Sequence, residues 1–185
     1  MKPLFTLHAG EYLVGSEIER RFKQVNVWVP SRDTGIDLLV TDRQNRRELS
    51  LQVKFGKDWL VTHMKPLFQK GLRACGWWTI NRKKLVASKA DFWIFVLYGF
   101  AGRTTDFIVV PTGRLRRCLQ SIHSSHWNKK VIQSYLWVTK QDKCWEVRDL
   151  RMEDQHKIAN DEYENASREF TQWLNTWNPI AKLNK

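Results

Sequence analysis

Between Leu49 and Phe55 apolar and polar residues alternate without a break. Leu49, Leu51, Val53 and Phe55 fall on one face, and Ser50, Gln52 and Lys54 fall on the other. Successive side chains of a strand point to opposite faces, so the run predicts a half-buried strand. Its partner lies just upstream. Val25, Val27 and Val29 alternate up to Pro30, turn residues follow from Ser31 to Gly35, and a second apolar run extends from Ile36 to Val40. A polar turn over residues 42–47 then leads into the Leu49 strand. Ahead of all three, residues 9–24 set Tyr12, Leu13, Ile18 and Phe22 among charges at helical spacing and predict an amphipathic helix.

Further along, the pattern predicts a strand from Gly76 to Ile80, a short helix from Arg82 to Ala90, a buried central strand from Phe92 to Tyr98 and another strand from Asp106 to Pro111. Leu115, Leu119 and Ile122, set among Arg114, Arg116 and Arg117, predict a basic amphipathic helix. Tyr135 to Val138 and Cys144 to Val147 predict a hairpin. A last helix is expected from about Glu153 to Trp173, with a loose tail from Pro179 onward. Helices interspersed with strands of both kinds point to an α/β fold with a mixed central sheet flanked by helices. A chain of 185 residues suits one domain. Within it, a core of about 9–110 is followed by an extension of about 112–177.

Composition narrows the setting. No stretch approaches the roughly 18 uninterrupted apolar residues that cross a bilayer, and Met1 to Phe5 lead into polar residues rather than a leader. The expectation is a soluble, cytoplasmic protein with no membrane partner. Three cysteines, Cys75, Cys118 and Cys144, form no CxxC pair, which favours buried thiols over a disulfide framework or a zinc ribbon. The formal net charge is +12, although residues 152–176 hold six acids against two bases. Such an excess of cations suits a polyanionic partner. Neither a Walker loop nor a GxSxG elbow occurs, so NTPase and α/β-hydrolase chemistry have no support.

Phosphodiester hydrolysis needs hard oxygen ligands for a divalent cation, a positioned water and positive charge to offset the charge that develops. Asp37 follows the Gly35 turn, while Gln52 and Lys54 project from one face of the next strand, so pairing of the two strands brings all three together. The order of a helix with Gly10-Glu11, a strand, Gly35-Ile36-Asp37 with its apolar run, Leu51-Gln52-Val53-Lys54, and the Asp91-to-Leu97 strand resembles the PD-(D/E)XK nuclease superfamily. That superfamily includes restriction enzymes and Holliday-junction resolvases. The likeness spans about residues 9–110.

The resemblance implies a restriction-endonuclease-like fold and Mg²⁺- or Mn²⁺-dependent endonuclease activity on duplex or branched DNA. It makes Asp37, Gln52 and the Val53 carbonyl metal ligands and Lys54 the water-positioning cation. Glu11 completes the site, with Glu17 as the alternative. Ile36 stands where the motif has proline. Gln52 stands where it has an acid, and an amide holds a hard dication less well than a carboxylate. A second reading is therefore a nucleic-acid-binding module that keeps the fold without cutting. A third gives the aromatic-rich extension an RNA-directed or protein-docking role.

Arg32, Lys57, Lys65, Lys70, Arg82 and Lys83, together with Arg73 and Lys84, are the expected phosphate contacts. Two cuts on a duplex are most simply made by a homodimer. Of Trp59, Trp77 and Trp78, at least two are expected in the core. His123 and His126 read as a polar helix end, and His63 as a surface residue.

Overall fold

The computed structural model describes residues 4–32, 35–99 and 104–184, so positions 33–34 of the expected turn lie outside it. Helix α1 (Leu4–Arg21) precedes a five-stranded sheet. Numbered along the chain, its members are β1 (Val25–Trp28), β2 (Leu38–Asp42), β3 (Glu48–Lys57), β5 (Phe92–Gly99) and β6 (Thr104–Pro111), and they lie side by side in that order. Neighbours run antiparallel except β3 and β5, which are parallel. Parallel neighbours require a crossover. Here it contains α2 (Leu60–His63), α3 (Pro66–Gly71), β4 (Leu72–Asn81) and α4 (Arg82–Val86).

Strand β4 leaves the first sheet and founds a second, in the order β4, β7 (Val131–Thr139), β8 (Cys144–Glu146), antiparallel throughout. The remaining helices are α5 (Thr112–Ile122), α6 (Met152–Ala159) and α7 (Asn178–Ala181).

Three apolar layers follow from the alternation of the strands. On one face of the large sheet Leu51, Val53, Ile94 and Val96 pack against Val14 and Ile18 of α1, one turn apart. The other face carries Trp93, Phe95 and Leu97, which meet Trp78 and Ile80 of β4, Leu136 of β7, and Leu115 and Leu119 of α5. Beyond the small sheet, Cys75, Trp137 and Trp145 are covered by Leu60, Phe68 and Ile158 from α2, α3 and α6. Full burial of one such aliphatic side chain stabilises by about 1.5–3 kcal/mol. Close approach is set by glycine at two points. A Cβ on Gly10 would stand 2.9 Å from that of Phe55, and one on Gly56 would stand 2.7 Å from the Trp78 ring.

The mixed sheet flanked by helices is as expected, but two parts of the C-terminal half differ. The acidic helix stops at Ala159, and Asp161 turns the chain with φ +65°. This segment must deliver Tyr163 to the outer layer and Phe170 to the layer between the sheets, which one helical face cannot do. The tail is not loose either, since Trp177, Ile180 and Leu183 are buried against the α1 face of the large sheet. The β4–β7 ladder, from Leu72↔Thr139 to Asn81↔Val131, joins the expected core to the expected extension.

Cys75 and Cys144 are buried free thiols, and Cys118 is half-buried. Trp78 is buried, and Trp59 has its indole nitrogen buried, whereas Trp77 is exposed. No described helix is long and apolar enough to cross a membrane.

Candidate functional site

The β2–β3 hairpin places the first three residues. In its register Leu38 stands opposite Leu51, and just before β2 the Asp37 N–H donates to the same residue's carbonyl at 2.8 Å, which ties the Asp37 backbone to β3 beside Gln52. Asp37 Oδ2 accepts the Val53 N–H at 2.7 Å and also a bond from the Gln52 amide nitrogen. Lys54 lies two residues on, on the face of Gln52, with its ammonium 5.4 Å from the centroid of the Trp93 ring. Trp93 stands beside Gln52 in the parallel β3–β5 register, and its indole N–H is held by Ser88 Oγ at 3.1 Å. A cation over an indole face is attracted by the ring quadrupole, so Trp93 steadies the lysine where it stands.

These residues line one cleft of about 580 Å³. Helix α1 contributes His8 and Glu11 to it. The segment after β1 contributes Val29 to Arg32, and the second sheet contributes Thr79, Asn81 and, from α4, Lys84. Glu11 therefore reaches the site, whereas Glu17 is held by Arg20 and Arg21 and lines no part of the cleft.

Burial raises the Asp37 carboxyl above its ordinary range; the Val53 N–H and Lys54 oppose the rise, and Glu11 adds to it. The bond between His8 Nδ1 and Glu11 Oε2, 2.8 Å long, raises the exposed His8, and the charges of Glu11 and Asp37 reinforce it.

Among the described residues, no three His, Cys, Asp or Glu side chains gather closely enough to hold a metal ion. The cleft nevertheless offers two carboxylates, the Gln52 amide and the Val53 carbonyl. This is an all-oxygen set suited to Mg²⁺ or Mn²⁺, and a dication would relieve the mutual repulsion of Glu11 and Asp37. The donors fit such an ion, with two carboxylates supplying the charge.

Of the expected phosphate contacts, Arg32 and Lys84 line the cleft, while Lys57, Lys65, Lys70, Arg82 and Lys83 do not. Arg82 and Lys83 open α4, beside Lys84. Arg73 is taken up by Asp106, at 2.8 Å, and by Asp142. His123 is buried at the end of α5, with Nε2 on the Gln133 carbonyl, and His63 is exposed.

Sequence reasoning missed His8, Thr79, Asn81 and Trp93. His8 sits three residues before Glu11 and was legible as its helical neighbour had the helix been started at Leu4. The others depend on which strands meet, and alternation does not carry that information. No family model, no curated protein and no solved structure matches the chain.

Proposed function

We propose that the chain is a metal-dependent endonuclease of the PD-(D/E)XK kind that hydrolyses DNA phosphodiester bonds. The observation that carries this reading is the meeting of Glu11, Asp37, Gln52 and Lys54 in a single cleft, with the Gln52 amide hydrogen-bonded to the Asp37 carboxylate. A mixed sheet with helices on its faces is also what a restriction-endonuclease-like fold requires.

In this reading Glu11, Asp37, the Gln52 amide oxygen and the Val53 carbonyl hold the cation. When bound, Mg²⁺ or Mn²⁺ supplies positive charge to the scissile phosphate and acidifies water. The Val53 N–H fixes the Asp37 carboxylate, so the ligand needs no reorientation. Lys54, steadied over Trp93, orients the attacking water and offsets charge on the phosphate oxygens. Arg32 and Lys84 draw the flanking phosphates to the walls. A bond forms from the water oxygen to phosphorus and the opposite phosphorus–oxygen bond to the sugar breaks. The water loses its proton to solvent, and the leaving oxygen takes one up.

One observation favours the non-cleaving alternative. The Gln52 amide already donates to Asp37 Oδ2, so that oxygen is satisfied without a cation. The two readings separate when purified protein is incubated with plasmid, linear duplex and branched DNA in Mg²⁺, Mn²⁺ or EDTA, beside Lys54→Ala. Metal-dependent product, reduced roughly 100-fold or more in the variant, is expected. Salt-sensitive binding without product selects the binding module, and the absence of both overturns both readings.

A further inference from the structure

The outer face of the small sheet is covered over only part of its length. Cys75 and Trp137 lie beneath the helices. Trp77, two residues beyond Cys75 on β4, is 51% exposed. It stands opposite Tyr135 in the β4–β7 register, the two rings edge to face with centroids 5.8 Å apart. The Arg148 guanidinium lies 5.1 Å from the Tyr135 centroid, and its Nη1 donates to the Tyr135 hydroxyl at 3.0 Å. The result is a pair of packed rings, one an exposed indole and the other capped by a guanidinium.

Its surroundings say what it suits. Lys129 and Lys130 are exposed where the chain enters β7, and the depression of about 390 Å³ beside Gln133 is lined by Lys129, Arg148 and one carboxylate, Asp149. Asp149 is paired with Arg148 at 3.1 Å, so the lysines leave the local balance positive. The platform lies only two residues along β4 from the Asp37 cleft. Thr79, two residues past Trp77 on the same side of β4, lines that cleft, and so does Asn81. An exposed ring on a sheet face flanked by Arg148, Lys129 and Lys130 matches a polyanion that carries flat, unstacked bases. A duplex keeps its bases stacked on one another and offers Trp77 none.

We infer that the open half of the small sheet binds a single-stranded stretch of nucleic acid, with a base on Trp77 and phosphates against Lys129, Lys130 and Arg148. Taken with the nuclease reading, on which this last step rests, the substrate carries an unpaired segment next to the bond cut in the Asp37 cleft.

The test is fluorescence anisotropy in EDTA at several salt concentrations. The probes are labelled oligothymidylate and oligouridylate of about 15 nucleotides and a blunt duplex of equal length. Wild type is compared with Trp77→Ala, Trp77→Phe and Lys54→Ala. Trp77→Ala should weaken oligothymidylate binding about tenfold, Trp77→Phe should weaken it less, and both should leave duplex binding and the thermal transition unchanged. The two arms of single strand, deoxy and ribo, identify which nucleic acid is preferred. Equal single-strand affinity in wild type and Trp77→Ala overturns the inference, as does a wild type that binds no single strand.

Digestion of tailed and blunt duplexes in Mg²⁺ separates this inference from the reading beneath it. A Trp77-dependent single-strand site without product removes the nuclease and leaves the site. Product on blunt duplex, with Trp77→Ala indifferent, removes the site and leaves the nuclease.

Discussion

The Val53 N–H donates to Asp37 Oδ2 across 2.7 Å, tying the side chain at the start of one strand to the backbone of the next. Because the bond fixes the carboxylate in a place where burial opposes its ionisation, Asp37 is held against its own solvation preference. Asp37→Asn keeps an oxygen acceptor for Val53 and removes the charge. The variant should lose metal-dependent cleavage by roughly 100-fold or more, yet melt no lower than wild type at pH 7 in EDTA. Parallel thermal melts and plasmid digestion check both halves.

Gln52→Glu should restore the third acid. In EDTA the added carboxylate repels Asp37 and Glu11, raises the Asp37 carboxyl further and lowers the melting temperature. In millimolar Mn²⁺ the order reverses, because the ion binds the folded state alone. Calorimetric titration should give Mn²⁺ affinity about tenfold above wild type. An affinity equal to wild type would remove Gln52 from the ligand set.

Glu146 controls stability against pH. It is fully buried, accepts the N–H groups of Tyr135 and Arg148, and meets Arg168 at 3.2 Å. Burial outweighs these partners and pushes its carboxyl from 4.5 up to about 7. Between those values the folded state holds a proton that the unfolded state has lost, so the contribution to stability is fully present below the unfolded value and falls as pH rises through the folded one. Between pH 5 and pH 8 the loss is on the order of 2–3 kcal/mol. Urea unfolding of Glu146→Gln at pH 5 and pH 8 should show that much less pH dependence than wild type, although removing an acceptor lowers its stability at both.

Gly56→Ala tests how closely the sheets approach. The new Cβ meets the Trp78 ring, which is already packed edge to face against Phe95 with centroids 5.1 Å apart. Neither neighbour can yield without moving a strand, so the substitution should cost about 1–3 kcal/mol by urea unfolding. Cleavage should fall as well, since β3 carries Gln52 and Lys54 four and two residues before Gly56.

The alternation of Leu49 to Phe55 gave both the strand and the face carrying Gln52 and Lys54, because a strand with one apolar and one polar face writes its pleat into the residue order, although Ser50 and Gln52 are buried rather than wet. Asp37 was legible for a related reason: it stands between a glycine turn and an apolar run, where a strand begins. Glu11 against Glu17 was not legible, since both lie on α1 and only the position of the helix on β3 decides between them. The fate of residues 160–183 was hidden for another reason. Tyr163, Phe170, Trp177 and Ile180 are anchors dropped singly into layers built by distant strands, and no local period marks them.

Strand β4 sits in the middle of the crossover yet finds its partner in β7, about fifty residues later in the chain. During synthesis, the segments bearing Glu11, Asp37, Gln52 and Lys54 leave the ribosome well before Val131 to Thr139 exist to pair with β4. Until then Trp78 and Ile80 have no finished layer to enter, and the wall formed by Thr79 and Asn81 cannot close. A contact spanning so much chain carries a loop-closure cost that must be met before its reward, which makes this pairing a late and slow step. The nascent chain thus carries its acidic pair and its lysine for some time as scattered surface groups, and the cleft comes into being only when the small sheet zips.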